Sequence, residues 1–359
     1  MFSGKRLHLD GPLLIGLLVL SALGLVVIFS ASGQSWDVLF RQGLRVGISL
    51  AVMVVLAQVS PENLRRFSPH LFAVAVIALV AVLAVGTAGK GAQRWLDLGL
   101  VQFQPSELMK LGVPMVLAWL LTRGRLPPSF LIVLVALVLT LIPAGLVVVQ
   151  PDLGTAIMLV ASGFFVLLLA GIRWHHVLMM LAGVAAVAPY LWFRLHEYQR
   201  QRILTLFDPW ADPMGSGYQS IQSQIAIGSA GIWGKGWLAG SQSQLEFIPE
   251  RSTDFIFAVF AEEFGLIGAL MLLILYLFVV GRCLIMAYHT RETFARLLIG
   301  ALALTFFFYL FVNLGMVSGI LPIVGVPLPL ISYGGTSMLT LMAGFGIIMG
   351  LHARRRLMT

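Results

Sequence analysis

The pentapeptide Glu250-Arg251-Ser252-Thr253-Asp254 ends a long polar, glycine-rich stretch and opens an apolar run over 255–280. Ser252 or Thr253 can cap the first turn of a helix there. That puts Asp254 inside the helix, near the positive end of its dipole, where the ionised carboxylate is favoured. The same residue is also a good N-terminal helix residue, and position alone does not choose between the two readings. Glu107 and Lys110 stand three apart in Gln104-Pro105-Ser106-Glu107-Leu108-Met109-Lys110, where Pro105 and Ser106 read as a helix start. As a self-neutralising pair at a helix end, with Lys110 snorkelling outward, they need no function. Pointing into a bundle, they are ionisable groups of the kind that mark functional sites in membranes. Asp152, in the turn Gln150-Pro151-Asp152-Leu153-Gly154-Thr155, is most simply a helix cap. Glu262 and Glu263 lie deeper in the 255–280 run, where at least one of them needs a proton, a cation or a polar wall.

Composition determines the elements that must position these groups. The chain has 359 residues, 59% hydrophobic and 11% charged, against roughly 25% charged in a soluble domain. Apolar runs near the length that crosses hydrocarbon recur throughout, and the alternation of barrel strands is absent. The expected fold is therefore an all-α integral membrane protein. About ten spans are expected, at 11–31, 40–58, 67–87, 106–121, 129–149, 154–171, 175–193, 254–281, 297–319 and 337–352. The N-terminus mimics a signal peptide, but its apolar run is long, which favours a retained first helix. Thirteen of the 23 Lys and Arg fall on one side of this arrangement, including Lys5, Arg6, Arg65, Arg66, Arg123, Arg282, Arg355 and Arg356. The short loops of the other side carry four, Arg41, Arg45, Lys90 and Arg94. The positive-inside rule then puts both termini in the cytoplasm and the large 194–253 loop outside. Twelve of the 15 Asp and Glu lie at or near the outer face, so the polar chemistry belongs there. The net charge of +8 follows from topology and does not point to nucleic acid. The single Cys283 excludes an internal disulfide. Nothing matches a GxxxxGK[ST] phosphate loop, so a substrate arrives already activated or no chemistry occurs.

Two further segments break the pattern of plain spans. In the large loop, Tyr218, Ile221 and Ile225 recur at helical spacing, which predicts a short interfacial helix. Gly228, Gly231, Gly234, Gly236 and Gly240 follow and read as a flexible loop, with an anion-binding nest as the alternative. The apolar segment 322–336 contains three prolines and three glycines, so no continuous helix fits. It is expected as a re-entrant or kinked segment before the tenth helix, or else as an ordinary outer turn.

Taken together and in order, GAQRWLDLG, FQPSELMK, QPDLGTA, FDPWADPMGSGYQSIQS and VPLPLISYGGTS resemble the shape, elongation, division and sporulation (SEDS) family, most of all its elongation branch. The resemblance implies a peptidoglycan glycosyltransferase of the bacterial inner membrane, multi-pass and surrounded by membrane lipids. Its substrate would be lipid II, and its partner a class B penicillin-binding protein that supplies the transpeptidase. The family's essential aspartate falls on Asp254. Its Glu and Lys of the PSE-x-x-K motif fall on Glu107 and Lys110, its QRW arginine on Arg94 and its PDLGT aspartate on Asp152. On this reading Asp254 is the general base for a sugar hydroxyl, while Lys110, Arg94 or Arg202 stabilises the leaving pyrophosphate. A divalent cation, Mg²⁺ or Mn²⁺, could share that task, although no metal-binding motif requires one. The alternatives are a transporter (flippase) of the lipid-linked precursor and a scaffold without activity.

Overall fold

The computed structural model describes residues 8–89, 92–97, 102–194, 197–245 and 247–354. Lys5, Arg6, Lys90, Arg355 and Arg356, used above to orient the chain, lie outside them. Helices occupy the ten expected positions: α1 (Gly11–Ala31), α2 (Trp36–Ala57), α3 (Pro61–Val85), α4 (Pro105–Leu121), α5 (Phe130–Val149), α6 (Leu153–Leu169), α7 (Trp174–Arg194), α11 (Ile256–Tyr288), α12 (Thr293–Val317) and α13 (Thr336–Ala353). Seven of them, all but α4, α6 and α7, are long and apolar enough to cross a membrane. The protein is all-α and multi-pass. Its departure from helix is a short antiparallel ribbon after α3: β1 (Thr87–Gly89), β2 (Ala92–Asp97) and β3 (Gln102–Phe103). The region between α7 and α11 contains α8 (Glu197–Phe207), a 3₁₀ turn at Pro209–Ala211, α9 (Tyr218–Ser229) and the short α10 (Ser241–Gln244).

α2 and α3 begin before the expected spans because polar caps extend them beyond the apolar run, whereas the capped α1 begins where expected. Asp10, Ser35 and Ser60 accept hydrogen bonds from the N–H groups of Leu13, Val38 and Asn63 at the starts of α1, α2 and α3. The core is apolar, and α12 lies at its centre, buried along most of its length. α13 packs against α2, with Gly346 and Gly350 one turn apart. A Cβ on either would meet the backbone oxygen of Met53 or Ala57 at 2.3 or 2.6 Å, so only glycine permits this approach. At one end of the bundle Arg282 of α11 makes two hydrogen bonds to Asp10, at 3.0 and 2.6 Å.

The glycine-rich run is not a free loop. α11 breaks at Gly265 (φ 66°, ψ −165°), and the run from Gly231 to Gly236 fits into the break. Lys235 N donates to Glu262 O and Gly236 N to Glu263 O, both at 3.0 Å, while Leu266 N and Ile267 N donate to Gly231 O and Ile232 O. The strap thus pairs the backbone groups that the break exposes. It also supplies the polar wall that the two buried carboxylates need. Glu262, fully buried, accepts from Lys235 Nζ at 2.7 Å, Gln242 N at 3.0 Å and Ser241 Oγ at 3.2 Å. Glu263 accepts from Ser30 Oγ and from Leu238 N.

Candidate active site

Asp254 does not lie inside α11, contrary to expectation. The helix starts at Ile256, with Phe255 at its cap and no side-chain cap bond. Neither Ser252 nor Thr253 caps it; Thr253 Oγ1 turns back to Glu250 O and Oε2, at 3.1 and 2.7 Å. Tertiary hydrogen bonds outcompete the cap. Tyr333 N donates to Ser252 O at 2.8 Å, Ser332 Oγ to Thr253 O at 2.6 Å and Asn313 Nδ2 to Asp254 O at 2.8 Å. Three successive carbonyls are thereby held in a turn, which fixes Asp254 just ahead of the helix dipole rather than within its first turn.

The third donor, Asn313, belongs to α12; the other two, Tyr333 and Ser332, come from the segment that precedes α13. It is non-helical, and Leu328, Leu330 and Ile331 within it are buried in the main core. Ser332 Oγ accepts from Leu328 N at 2.7 Å, Tyr276 Oη donates to Pro329 O at 2.5 Å, and Asn313 Nδ2 also donates to Val326 O at 2.7 Å. The Arg45 guanidinium stacks on the Tyr333 ring at 4.5 Å. Prolines and glycines prevent helix in this segment, and buried side chains satisfy its backbone groups instead.

Asp254 opens into a polar cavity of about 490 Å³, also lined by Arg94, Asp152, Gln199, Arg202, Gln219 and Glu250. Four of the six residues singled out from sequence, Asp254, Arg94, Asp152 and Arg202, therefore meet in one place. Asp152 does cap α6, accepting from Thr155 N at 3.1 Å through Oδ1. Its Oδ2 faces Arg94 at 3.7 Å and Gln104 Nε2 at 3.5 Å, so a cap and a cavity wall are the same side chain. Arg94 is partly committed to structure, with Nε donating to Gln150 O at 3.1 Å and a terminal nitrogen to Pro151 O. Arg202, on α8, lies at the exposed rim.

Glu107 and Lys110 do not line this cavity. They form a buried pair, Nζ to Oε1 2.6 Å, with the ammonium 5.3 Å from the Tyr309 ring. Lys110 faces a crevice with Thr305, Tyr309 and Thr340, and Glu107 lines an apolar groove of about 420 Å³ between α2, α3, α4 and α13. Gln104 joins the two regions, lining that groove while its Nε2 approaches Asp152. Sequence reasoning left four contributors without a role: Asn313, Gln199, Gln219 and Glu250. Glu250 stood in the pentapeptide itself, and its distance of four residues from Asp254 was the available signal. Among the described residues no three His, Cys, Asp or Glu side chains gather as a metal-binding group.

Comparison with known proteins agrees with this architecture. The chain is 52% identical over 355 residues to the peptidoglycan glycosyltransferase MrdB of Escherichia coli K12, covering 99% of this chain and 96% of that protein. A chain from a peptidoglycan synthase complex, solved for the structural coordination of polymerization and crosslinking, superposes with TM-score 0.84 at 34% identity, covering 96% of this chain and 98% of the other. The rod shape determining protein RodA of Thermus thermophilus superposes with TM-score 0.75 at 31% identity, covering 98% and 99%. The family model for cell cycle proteins of the FtsW, RodA and SpoVE type matches residues 11–357, and the chain belongs to that family.

Proposed function

We infer that the chain is a peptidoglycan glycosyltransferase that polymerises lipid II through the cavity at Asp254. The observation that carries this reading is a carboxylate and two arginines facing one water-accessible space beside a clamped turn. The growing glycan on its lipid pyrophosphate is the donor, and the 4-hydroxyl of the incoming N-acetylglucosamine is the nucleophile. Asp254 takes the hydroxyl proton as the oxygen–C1 bond forms. The bond from C1 to the pyrophosphate oxygen breaks, and inversion at C1 gives the β linkage. Arg202 and the remaining donors of Arg94 hold the leaving pyrophosphate. Lys110 belongs with Glu107 behind the cavity, where the pair supports the wall through α4 and Gln104.

Among the described residues no three His, Cys, Asp or Glu side chains gather as a ligand set. Mg²⁺ or Mn²⁺ would enter with the pyrophosphate, held by substrate oxygens and one or two carboxylates. The charge distribution supports ten spans, cytoplasmic termini and an outward-facing cavity. A class B penicillin-binding protein is the partner that would crosslink the product. A flippase is not favoured, because Asp254, Arg94, Asp152 and Arg202 gather at one end of the bundle, not at a midplane site.

The test uses purified protein supplied with lipid II. Asp254→Asn should lose polymerisation by about 10²–10⁴-fold, the range of general base catalysis, while its thermal unfolding midpoint holds. Near-normal glycan synthesis by that variant would remove Asp254 from the role.

A further inference from the structure

The segment that holds the carbonyls of Ser252 and Thr253 is itself held by α1 and α2, two helices that contribute no side chain to the Asp254 cavity. On α1, a Cβ at Gly24 would lie 2.9 Å from Ile331 Cα and from Leu330 O, so the helix backbone bears directly on the segment. On α2, Gln42 and Arg45 stand three apart and share a face. Gln42, fully buried, approaches Ser332 O with Nε2 at 3.4 Å. The Arg45 side chain runs past Tyr333 and Gly335. Its guanidinium carbon is 4.5 Å from the centre of the Tyr333 ring, and a Cβ at Gly335 would meet its Nε at 3.3 Å and its Cδ at 3.4 Å. Glycine at 335 leaves the room in which that side chain lies.

Arg45 differs from its neighbour Arg41. Arg41, one turn earlier, is exposed and pairs with Asp37 at 4.0 Å. Among the described residues Arg45 has no ion pair, and it is only partly exposed. Leu44 and Ile48 beside it are 58% and 52% exposed, so this part of α2 faces lipid, where an unpaired cation is unfavourable. An arginine that served only solvation would extend toward the headgroups, as snorkelling side chains do. Arg45 lies inward on an aromatic face instead, where removal from water strengthens the attraction between guanidinium and ring. That ring belongs to the residue whose backbone N–H donates to Ser252 O at 2.8 Å, two residues before Asp254.

We propose that Arg45 is a positioning residue for the reaction: its guanidinium holds the Tyr333 ring, the Tyr333 N–H holds Ser252 O, and the turn so fixed aims Asp254 into the cavity. Arg45 acts through Tyr333 and touches no substrate. Its part in catalysis rests on the reading of Asp254 as general base, whereas its hold on the turn can be measured without catalysis.

The test compares the purified full-length protein with Arg45→Met, Arg45→Lys, Tyr333→Leu, the double variant Arg45→Met/Tyr333→Leu, and Arg41→Met as control. Hydrogen exchange of the backbone over 250–255 reports the turn in the absence of substrate. Arg45→Met should speed exchange there roughly tenfold, the scale of one partly desolvated cation–π contact, with the rest of the bundle as in wild type. Arg41→Met should leave it unchanged. With lipid II, Arg45→Met should lower kcat by about the same factor and hardly move KM, because the groups that line the cavity are intact. Arg45→Lys keeps a cation near the ring but loses the planar guanidinium, so it should recover part of both effects. Tyr333→Leu should match Arg45→Met, and the double variant should be no worse than either, since the two side chains form one contact. Wild-type exchange over 250–255 in Arg45→Met overturns the proposal whatever the rate of synthesis. Additive losses in the double variant also overturn it and make Arg45 an independent ligand for a phosphate. An equal effect of Arg41→Met overturns it in favour of a general need for basic charge. Polymerisation that survives Asp254→Asn would instead sink the reading of Asp254, while exchange still decides whether Arg45 holds the turn.

Discussion

Asn313→Ala is the most informative perturbation of the site, because it touches no substrate. Its side-chain nitrogen bridges Asp254 O at 2.8 Å and Val326 O at 2.7 Å, and the residue is fully buried in α12. Alanine leaves both carbonyls without that donor. Each unsatisfied buried group costs about 1–3 kcal/mol. The Val326 bond is the buried one and the Asp254 bond is only part-buried, so the total should be about 2–4 kcal/mol. The turn would then hold Asp254 by two clamps instead of three. A shift near 1 Å in a reacting group can cost roughly a hundredfold in rate. With lipid II as substrate, kcat should fall about ten- to a hundredfold and KM much less. Asn313→Asp replaces the donor by a second acceptor facing two carbonyls and should be at least as damaging. Wild-type unfolding and wild-type kcat in Asn313→Ala would refute the argument that this clamp positions the carboxylate.

Lys110→Met leaves the Glu107 carboxylate buried without its partner and should destabilise by about 3–5 kcal/mol, with the double variant Glu107→Gln/Lys110→Met recovering much of the loss; equal unfolding midpoints for the single and double variants would contradict this. Burial raises the Asp10 carboxyl, but hydrogen bonds from Arg282 and Leu13 N outweigh it and bring its pKa below 3.8. A lowered carboxyl pKa adds stability that is fully present above 3.8 and lost as pH falls through the folded value. The stability gap between wild type and Asp10→Asn should accordingly shrink below pH 3.8 and stay constant above it, as read by thermal melts across pH. Gly234→Ala combines φ +79° with a Cβ 2.1 Å from Glu263 O, so it should lift the strap and expose the α11 break to proteolysis or hydrogen exchange, whereas Gly228→Ala, with open space around its Cβ, should not.

The helices were legible because apolar length is a strong signal, and Arg94, Asp152 and Asp254 were singled out through the motifs and the family resemblance, whereas Arg202 lay in no motif and was only one of three candidate cations. What escaped depended on long-range pairing. Asn313 is an isolated amide in an apolar helix, and nothing local tells it from a residue bonding its own backbone. The start of α11 was misplaced because Ser252 and Thr253 are good caps locally, while Tyr333 and Ser332, far along the chain, take their carbonyls. The glycine run suggests flexibility wherever its partners are unknown; the Gly265 break supplies them. Glu107 and Lys110 showed the reverse error. Their spacing correctly gave a pair, but spacing carries no information on which cavity a helix face meets.

The two charged contacts of α11 give it a depth scale. Arg282, held by Asp10, and Glu262, held by Lys235, are separated by a length of helix close to 30 Å at 1.5 Å per residue. That equals the thickness of hydrocarbon in a typical bilayer. Were each contact to sit where lipid tails give way to water, Asp254, in the turn ahead of Ile256, would stand beyond the Glu262 contact. Bond formation would take place at the height of the phosphate layer, so a strand leaving the enzyme enters water directly while only the lipid anchors remain below.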